Sequence, residues 1–151
     1  MHIAIKKTHP DALIPERQTN GAVGYDLCCV EDFHLQPGRV TLVSTGIAVA
    51  VPMGFEAQVR PRSGMAKRNG VTVLNAPGTI DPDYRGTVGV LLYKCTPGEL
   101  FLPKGSRIAQ MVFAPVVMNV DFELVTELSD TKRGAQGFGH TDIFPMTETF
   151  E

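Results

Sequence analysis

The chain has 151 residues, a formal net charge of −2 and a charged fraction of 20%. This length predicts one domain, and the near-neutral charge argues against a protein that coats nucleic acid, which needs a strongly basic face. No stretch is apolar over the roughly 20 residues that a membrane span requires, and the N-terminus lacks the apolar core of a signal peptide. We therefore expect a cytoplasmic protein with neither a nucleic-acid nor a membrane partner.

The three cysteines also favour a cytoplasmic location. Cys28 and Cys29 are adjacent, so on a strand their side chains face opposite sides of the sheet, and they are expected to pack rather than to bridge each other. The count and spacing, with Cys95 as the third, favour neither a disulfide framework nor a zinc site. Reduced thiols are typical of a cytosolic protein.

Short β-prone runs alternate along the chain with turn sequences that contain proline and glycine. Proline presets φ at the first corner of a turn, and glycine takes the positive φ that the second corner of a type II turn requires. Many short strands separated in this way predict an all-β sandwich, jelly roll or barrel. The predicted strands are Ile3–Lys6, Asp26–Val30, Arg39–Val43, Gly46–Val51, Phe55–Arg60, Val71–Leu74, Thr87–Tyr93, Leu100–Leu102, Arg107–Val117 and Phe122–Leu124.

One helix is predicted, over Ser63–Asn69, with Ser63 as its N-cap. Lys67 and Arg68 of this helix form a basic cluster with Arg60 and Arg62. A mildly acidic protein with local basic patches suits a small anionic ligand better than a polymer.

The composition changes after residue 128 to a glycine-rich segment with no apolar periodicity. We therefore divide the chain into a β domain over residues 1–128 and a C-terminal arm over residues 129–151. By composition alone the arm suits a disordered tail as well as a segment that orders on a ligand, with Arg133 supplying charge and Phe138 a ring to stack.

The stretch from Arg60 to Arg85 carries the residues most suited to chemistry. Arg62, Ser63 and Gly64 offer guanidinium, hydroxyl and amide donors to an anion. The side-chain amide of Asn75 has a donor and an acceptor, which suits the polar edge of a base. Asp81 is ionised at neutral pH and can orient a water molecule, although an aspartate in a turn also accepts backbone N–H bonds.

Five motifs taken together resemble those of the trimeric deoxyuridine triphosphatases (dUTPases), in the family's order and spacing. They are AVGYDL at residues 22–27, PRSG at 61–64, GTIDPDYRG at 78–86, RIAQ at 107–110 and RGAQGFG at 133–139. The resemblance implies a distorted jelly-roll (β-clip) protomer that assembles as a homotrimer with three active sites at subunit contacts. It also implies hydrolysis of dUTP to dUMP and pyrophosphate with Mg²⁺, which limits uracil incorporation into DNA and supplies dUMP for thymidylate synthesis.

The resemblance also implies a role for each matching residue. Asp81 would hold the water that attacks the α-phosphorus, and Asp26 would lie near the water shell of the metal. Tyr84 would pack against the sugar. The base would be read on the hairpin that carries Asn75, Gly78, Thr79 and Ile80, together with Gly89. The phosphates would be held by Arg62, Ser63, Gly64 and Gln110, and the fifth motif would close over the substrate through Arg133, Phe138, Gly139 and Thr141.

Two positions depart from the family pattern, and alternatives follow from the same residues. Gln136 stands where the family usually has glycine, which costs roughly 1–2 kcal/mol if a positive φ is needed there, and Val23 is bulkier than usual. A dCTP deaminase of the same fold family is one alternative, but Leu91 stands where that enzyme carries a glutamate. A nucleotide-binding trimer without turnover is another. A carbohydrate-binding or capsid-type jelly roll leaves the five motifs unexplained.

Overall fold

The computed structural model describes residues 1–137, and their regular structure is eleven short strands and one helix. The elements in chain order are β1 (Ala4–Lys7), β2 (Tyr25–Cys28), β3 (Phe33–Leu35), β4 (Val40–Ser44), β5 (Ile47–Ala50), β6 (Phe55–Arg60), α1 (Ser63–Asn69), β7 (Val71–Val73), β8 (Gly78–Ile80), β9 (Gly89–Lys94), β10 (Leu100–Leu102) and β11 (Arg107–Pro115).

The strands pair antiparallel in two larger sheets and two strand pairs. The larger sheets have the orders β2-β11-β6-β8 and β4-β9-β7, and the pairs are β1-β5 and β10-β3. Alternation along the strands turns one set of side chains inward, so that Leu27, Val59, Val90, Leu92 and Met111 are all buried in one apolar core. The core therefore fixes the strand registers, because a shift of one residue would turn these side chains outward.

The all-β prediction is confirmed, and nine of the ten predicted strands form. The structure adds β3 and β8, each of three residues, which we did not predict. The predicted strand Phe122–Leu124 is wrong. Phe122 is 95% exposed and Leu124 100% exposed, so these residues have no neighbouring surface against which a strand would pack.

The helix spans the predicted residues, but its first turn differs from the prediction. Arg62 is the N-cap residue, with extended φ and ψ of −91° and 124°, and no side chain caps the helix. Ser63 is therefore the first helical residue, and its predicted capping role is wrong. Gly70 ends α1 in the left-handed conformation at φ 61°, where its N–H reaches the carbonyls of Ala66 and Met65.

The chain forms two compact units, Met1–Met118 and Asn119–Glu151. Every strand and the helix belong to the first unit. Within residues 1–137, no helix combines the length and the apolar character that crossing a membrane would need.

Candidate active site

Three of the motif segments meet around a cavity of about 230 Å³ in the first unit. Strand β2 carries Asp26, the segment between β6 and α1 carries Arg62, and β11 carries Gln110. In the sheet, Gln110 is the register partner of Asp26 on one side and of Arg60 on the other. The cavity is lined by Gln18, Ala22, Gly24, Asp26, Arg62, Ser63, Gly64, Arg68 and Gln110.

Asp26 links two arginines from different segments. Its Oδ1 lies 2.9 Å from Nε of Arg62, and its Oδ2 lies 3.5 Å from Nε of Arg107. The second distance allows an ion pair without a hydrogen bond, and Oδ2 is buried with no hydrogen-bond partner among the described residues. Arg62 also donates from Nη1 to the Arg107 carbonyl at 3.1 Å. These contacts fix the Arg62 guanidinium and leave other N–H groups of its fork for a ligand.

The side-chain amide of Gln110 is hydrogen-bonded to backbone on one side and lies against Gly24 on the other. Its Nε2 donates to the carbonyl of Pro61 at 2.9 Å. A Cβ on Gly24 would lie only 2.0 Å from the Oε1 of Gln110, so the glycine leaves the space that the amide occupies. The second N–H of the amide is free to bind an anion.

Gly64 has a similar relation to a cation on the same helix. Arg68 follows it by four residues, which brings the two positions together on one face of α1. A Cβ on Gly64 would lie 2.9 Å from Nη2 of Arg68. The guanidinium therefore lies directly over Gly64.

Of the predicted base-reading residues, Asn75 lies on the loop between β7 and β8, and Gly78, Thr79 and Ile80 form β8. Asn75 and Thr79 are exposed, whereas Gly78 and Ile80 are buried. Nδ2 of Asn75 lies 3.1 Å from the position of a Cβ on Gly78. β7 pairs with β9 and β8 pairs with β6, so this loop connects two sheets and is not the hydrogen-bonded hairpin that we predicted. Gly89 begins β9, at register with Ser44.

Asp81 follows β8 and begins a tight loop. Its carbonyl accepts the N–H of Tyr84 at 3.2 Å. The side chain of Asp81 is exposed and makes no hydrogen bond or ion pair with residues 1–137. The Tyr84 hydroxyl donates to the Thr87 carbonyl at 3.1 Å, and the Thr87 hydroxyl lies 2.9 Å from that of Thr8. Hydrogen bonds thus fix the backbone of this loop, while the carboxylate of Asp81 has no hydrogen-bond partner among residues 1–137.

Within one chain Asp81 lies far from the cavity that contains Arg62. β8 runs antiparallel to β6, and Ile80 pairs with Ala57, near the start of β6. Arg62 follows the other end of the same strand. Five or six extended residues at about 3.3 Å each separate the two positions by roughly 15–20 Å. Asp81 accordingly does not line the cavity.

The fifth motif begins in the second unit. Nε of Arg133 donates to the Gln136 carbonyl at 2.9 Å. Among the described residues a positive φ occurs only at glycines, including Gly134 at 55°, so Gln136 is not in the left-handed region. The described conformation therefore carries no strain at Gln136. The predicted residues Phe138, Gly139 and Thr141 lie outside the part of the chain that the structure describes.

Four residues that line the cavity were not assigned a ligand role from the sequence, namely Gln18, Ala22, Gly24 and Arg68. Gly24 belongs to a recognised motif, but its close approach to Gln110 joins segments 86 positions apart and has no local signal. Arg68 was noticed only as a member of a basic cluster. Its spacing of four from Gly64 in a predicted helix was the available signal.

An all-β fold with a cavity lined by guanidinium, hydroxyl and amide donors suits a protein that binds a small anionic ligand, and comparison with known proteins identifies the family. A profile of the dUTPase family matches residues 11–142. The deoxyuridine 5'-triphosphate nucleotidohydrolase of Nautilia profundicola is 51% identical over 141 residues, which cover 93% of this chain and 99% of the relative. That of Hydrogenobaculum sp. is 51% identical over 144 residues, covering 95% and 99%.

A solved structure of a dUTPase has a similar fold. The dUTPase of Staphylococcus bacteriophage 80alpha, with dUpNHpp, is 26% identical and superposes with a TM-score of 0.84 over 94% of this chain and 99% of that one. The chain belongs to the dUTPase family. The resemblance read from the five motifs and the jelly-roll fold are both confirmed.

Proposed function

We propose that the protein is a dUTP diphosphatase, which hydrolyses dUTP to dUMP and pyrophosphate by attack of water on the α-phosphorus. The observation that carries the proposal is the cavity in which Asp26, Arg62, Ser63 and Gln110 from separate segments converge. Membership of the dUTPase family supports the same substrate. In the cell the reaction limits uracil incorporation into DNA and supplies dUMP for thymidylate synthesis.

The phosphates bind in this cavity. Arg62 donates the N–H groups that Asp26 leaves free, and Ser63 and Gly64 donate a hydroxyl and a backbone amide. Gln110 donates the second N–H of an amide whose first N–H is already used by Pro61. Hydrogen bonds from charged donors to phosphate are roughly twice as strong as neutral ones, so the cavity favours the most highly charged part of the nucleotide.

Asp81 acts as the general base. A general base must lie within hydrogen-bond reach of the proton that it accepts, about 2.6–3.2 Å or through one water. The carboxylate has no competing partner among residues 1–137, so both oxygens are available to a water molecule. The base of the nucleotide is read by Asn75 and by the backbone at Gly78, Thr79, Ile80 and Gly89, and Tyr84 packs against the deoxyribose.

The active site is shared between copies of the chain in a homotrimer. Asp81 and the Arg62 cavity lie at opposite ends of β6 in one chain, at roughly 15–20 Å by strand geometry. One α-phosphate cannot be bound by both at that distance. A second copy therefore supplies the other half of the site, and the exposed Phe122 and Leu124 are suited to be covered by such a copy.

Magnesium serves the reaction mainly through the substrate. Within residues 1–137 no group of three or more His, Cys, Asp or Glu side chains converges on one point. Mg²⁺ keeps several waters and is often bound by substrate phosphates with one or two carboxylates. Asp26 fits a supporting role because Oδ2 is an acceptor without a hydrogen-bond partner. When bound, the ion would neutralise charge that develops on the phosphates.

The chain contributes positioning more than covalent chemistry. Phosphoryl transfer is catalysed chiefly by orientation and charge stabilisation, and well-oriented attack accounts for about 7–11 kcal/mol of barrier. Arm closure through Arg133, Phe138, Gly139 and Thr141 would exclude bulk water, so that the water on Asp81 is the one that reacts. Free cysteines at positions 28, 29 and 95 support a cytoplasmic location.

Pyrophosphate release across four nucleotides tests the proposal. With Mg²⁺ present we expect release from dUTP and far slower release from dTTP, dCTP and UTP, because the 5-methyl group, the amino group and the 2′-hydroxyl each conflict with the site. Ammonia release from dCTP is measured in the same samples. Ammonia without pyrophosphate would make the protein a deaminase, and binding of dUTP without product would make it a non-catalytic trimer.

A further inference from the structure

We propose that Arg68 is a further phosphate-binding residue, and that it supplies the cavity with a positive charge that no carboxylate among residues 1–137 pairs with. The inference rests on the proposed function only for the identity of the ligand as a nucleoside triphosphate. The anion-binding role itself follows from the position and the partners of the Arg68 side chain.

Arg68 reaches the cavity because Gly64 has no side chain. The Arg68 guanidinium lies over Gly64, with Nη2, Nη1 and Cζ at 2.9, 3.3 and 3.4 Å from the position that a Cβ on Gly64 would take. Arg68 lines the cavity together with Arg62, Ser63 and Gln110. Its charge therefore lies beside the hydroxyl and amide donors of the Arg62-Ser63-Gly64 segment.

The charges of the neighbouring arginines are already shared with a carboxylate. Asp26 lies 2.9 Å from Arg62 and 3.5 Å from Arg107. Arg68 has neither an ion pair nor a hydrogen bond with any residue in the range 1–137. The Arg62 guanidinium is therefore fixed in direction and its charge is partly neutralised, whereas the charge of Arg68 is paired with no carboxylate among residues 1–137.

The guanidinium chemistry of Arg68 suits phosphate better than a lysine would. A planar fork donates two parallel N–H bonds to a pair of phosphate oxygens, which an ammonium group cannot do. Because Arg68 is exposed, a ligand can bind it without displacing a protein partner. We expect it to lie against the outer phosphates, which carry the most charge.

Lys67 provides a matched control. It is the preceding residue of α1, is exposed like Arg68 and carries the same charge, but it does not line the cavity. Lys67→Ala therefore removes the same charge from the same helix without removing a group from the cavity. Both positions are on the surface of the helix, so neither substitution is expected to unfold the protein.

The experiment measures binding of inorganic tripolyphosphate by calorimetry to the wild type and to Arg68→Ala, Arg68→Lys and Lys67→Ala, with thermal melting of each. We expect Arg68→Ala to weaken binding by about 10–100-fold, the range for loss of a hydrogen bond to a charged group, and Arg68→Lys to recover part of it. Lys67→Ala should change binding less than about threefold, because an exposed charge outside the cavity is screened. KM for dUTP should follow the same order.

Equal losses in Arg68→Ala and Lys67→Ala would overturn the proposal, since they would mean that only the general field of the helix matters. Unchanged binding in Arg68→Ala would overturn it as well. If Arg68→Ala has a lowered melting temperature, the affinities of the wild type and Arg68→Lys for tripolyphosphate are compared instead. Equal affinities would then overturn the proposal. Failure of the wild type to release pyrophosphate from dUTP would remove the proposed function, yet the tripolyphosphate titration would still decide the role of Arg68.

Discussion

The regions that we propose to bind the phosphates and to read the base are built in different ways. Around Asp26, the side chains of Asp26, Arg62 and Gln110 are held by contacts between segments distant in sequence, and the Asp26 side chain is only 12% exposed. Around Asp81, the backbone is fixed by bonds within its own loop while the side chains of Asn75 and Asp81 are exposed and Tyr84 is 44% exposed.

This difference indicates which of the two regions is already organised within one chain. The phosphate-binding region is complete in one chain, because its ion pairs and its amide contacts are all formed within residues 1–137. The proposed base-reading region presents exposed side chains, and in the homotrimer that we propose another copy would cover them. Preorganised groups cost less to order when a ligand binds, so the phosphates are expected to give the first firm contacts.

The largest expected effect is that of Asp81→Asn. We expect turnover of dUTP to fall by more than about 100-fold, the usual range for removing a general base, while dUpNHpp still binds. Pyrophosphate release and calorimetry measure the two quantities. Asp83→Asn in the same loop is the control. Retention of more than about a tenth of the wild-type rate would remove Asp81 as the base.

Mixing two inactive variants would test directly whether the two regions of one site come from two chains. Asp81→Asn has an intact Arg62, and Arg62→Ala has an intact Asp81. If the site is shared, an assembly co-expressed from both variants contains some sites with both residues, and activity returns. If each chain carried a whole site, the mixed assembly would stay as inactive as its components.

A smaller effect is expected from Gly24→Ala. The new methyl group would lie 2.0 Å from Oε1 of Gln110, so the amide must move. Moving the end of a flexible side chain costs the fold little. The displaced Gln110 amide can no longer donate to the phosphate, however, so kcat/KM should fall by about tenfold. Gly21→Ala is the control, since a Cβ there meets nothing within 4 Å. A clear loss of melting temperature with unchanged kcat/KM would contradict this role.

The local parts of this molecule could be predicted from the sequence, and the contacts between segments could not. Alternating apolar residues and Pro-Gly turns predicted nine strands, and the helix over Ser63–Asn69 was also correct. The Asp26–Arg62–Arg107 cluster joins three segments, so no spacing reveals it. Phe122–Leu124 shows the opposite case, since its β-propensity is real but no strand of the described chain pairs with it.

The smallest expected effect is a difference in the labelling rates of the three cysteines, which reports how well the region around Asp26 is protected. Cys28 follows Asp26 by two residues on β2, and burial raises the pKa of the Cys28 thiol and that of Cys29. A thiol reacts as its thiolate, so both should be labelled slowly at neutral pH, whereas the exposed Cys95 should react first. Cys95→Ser should therefore remove most labelling of the native protein, as counted by mass spectrometry.

The raised pKa of Cys28 also gives the stability of the fold a pH dependence of definite sign. Because the folded pKa of Cys28 is raised, the unfolded chain loses this proton at a lower pH than the folded one. The thiol therefore leaves stability unchanged below the ordinary thiol pKa and lowers it as pH rises from there through the raised folded value. Asp81→Asn should leave Cys28 protection as in the wild type, since it alters the other region. Faster Cys28 labelling in that variant would mean that the two regions are not organised independently.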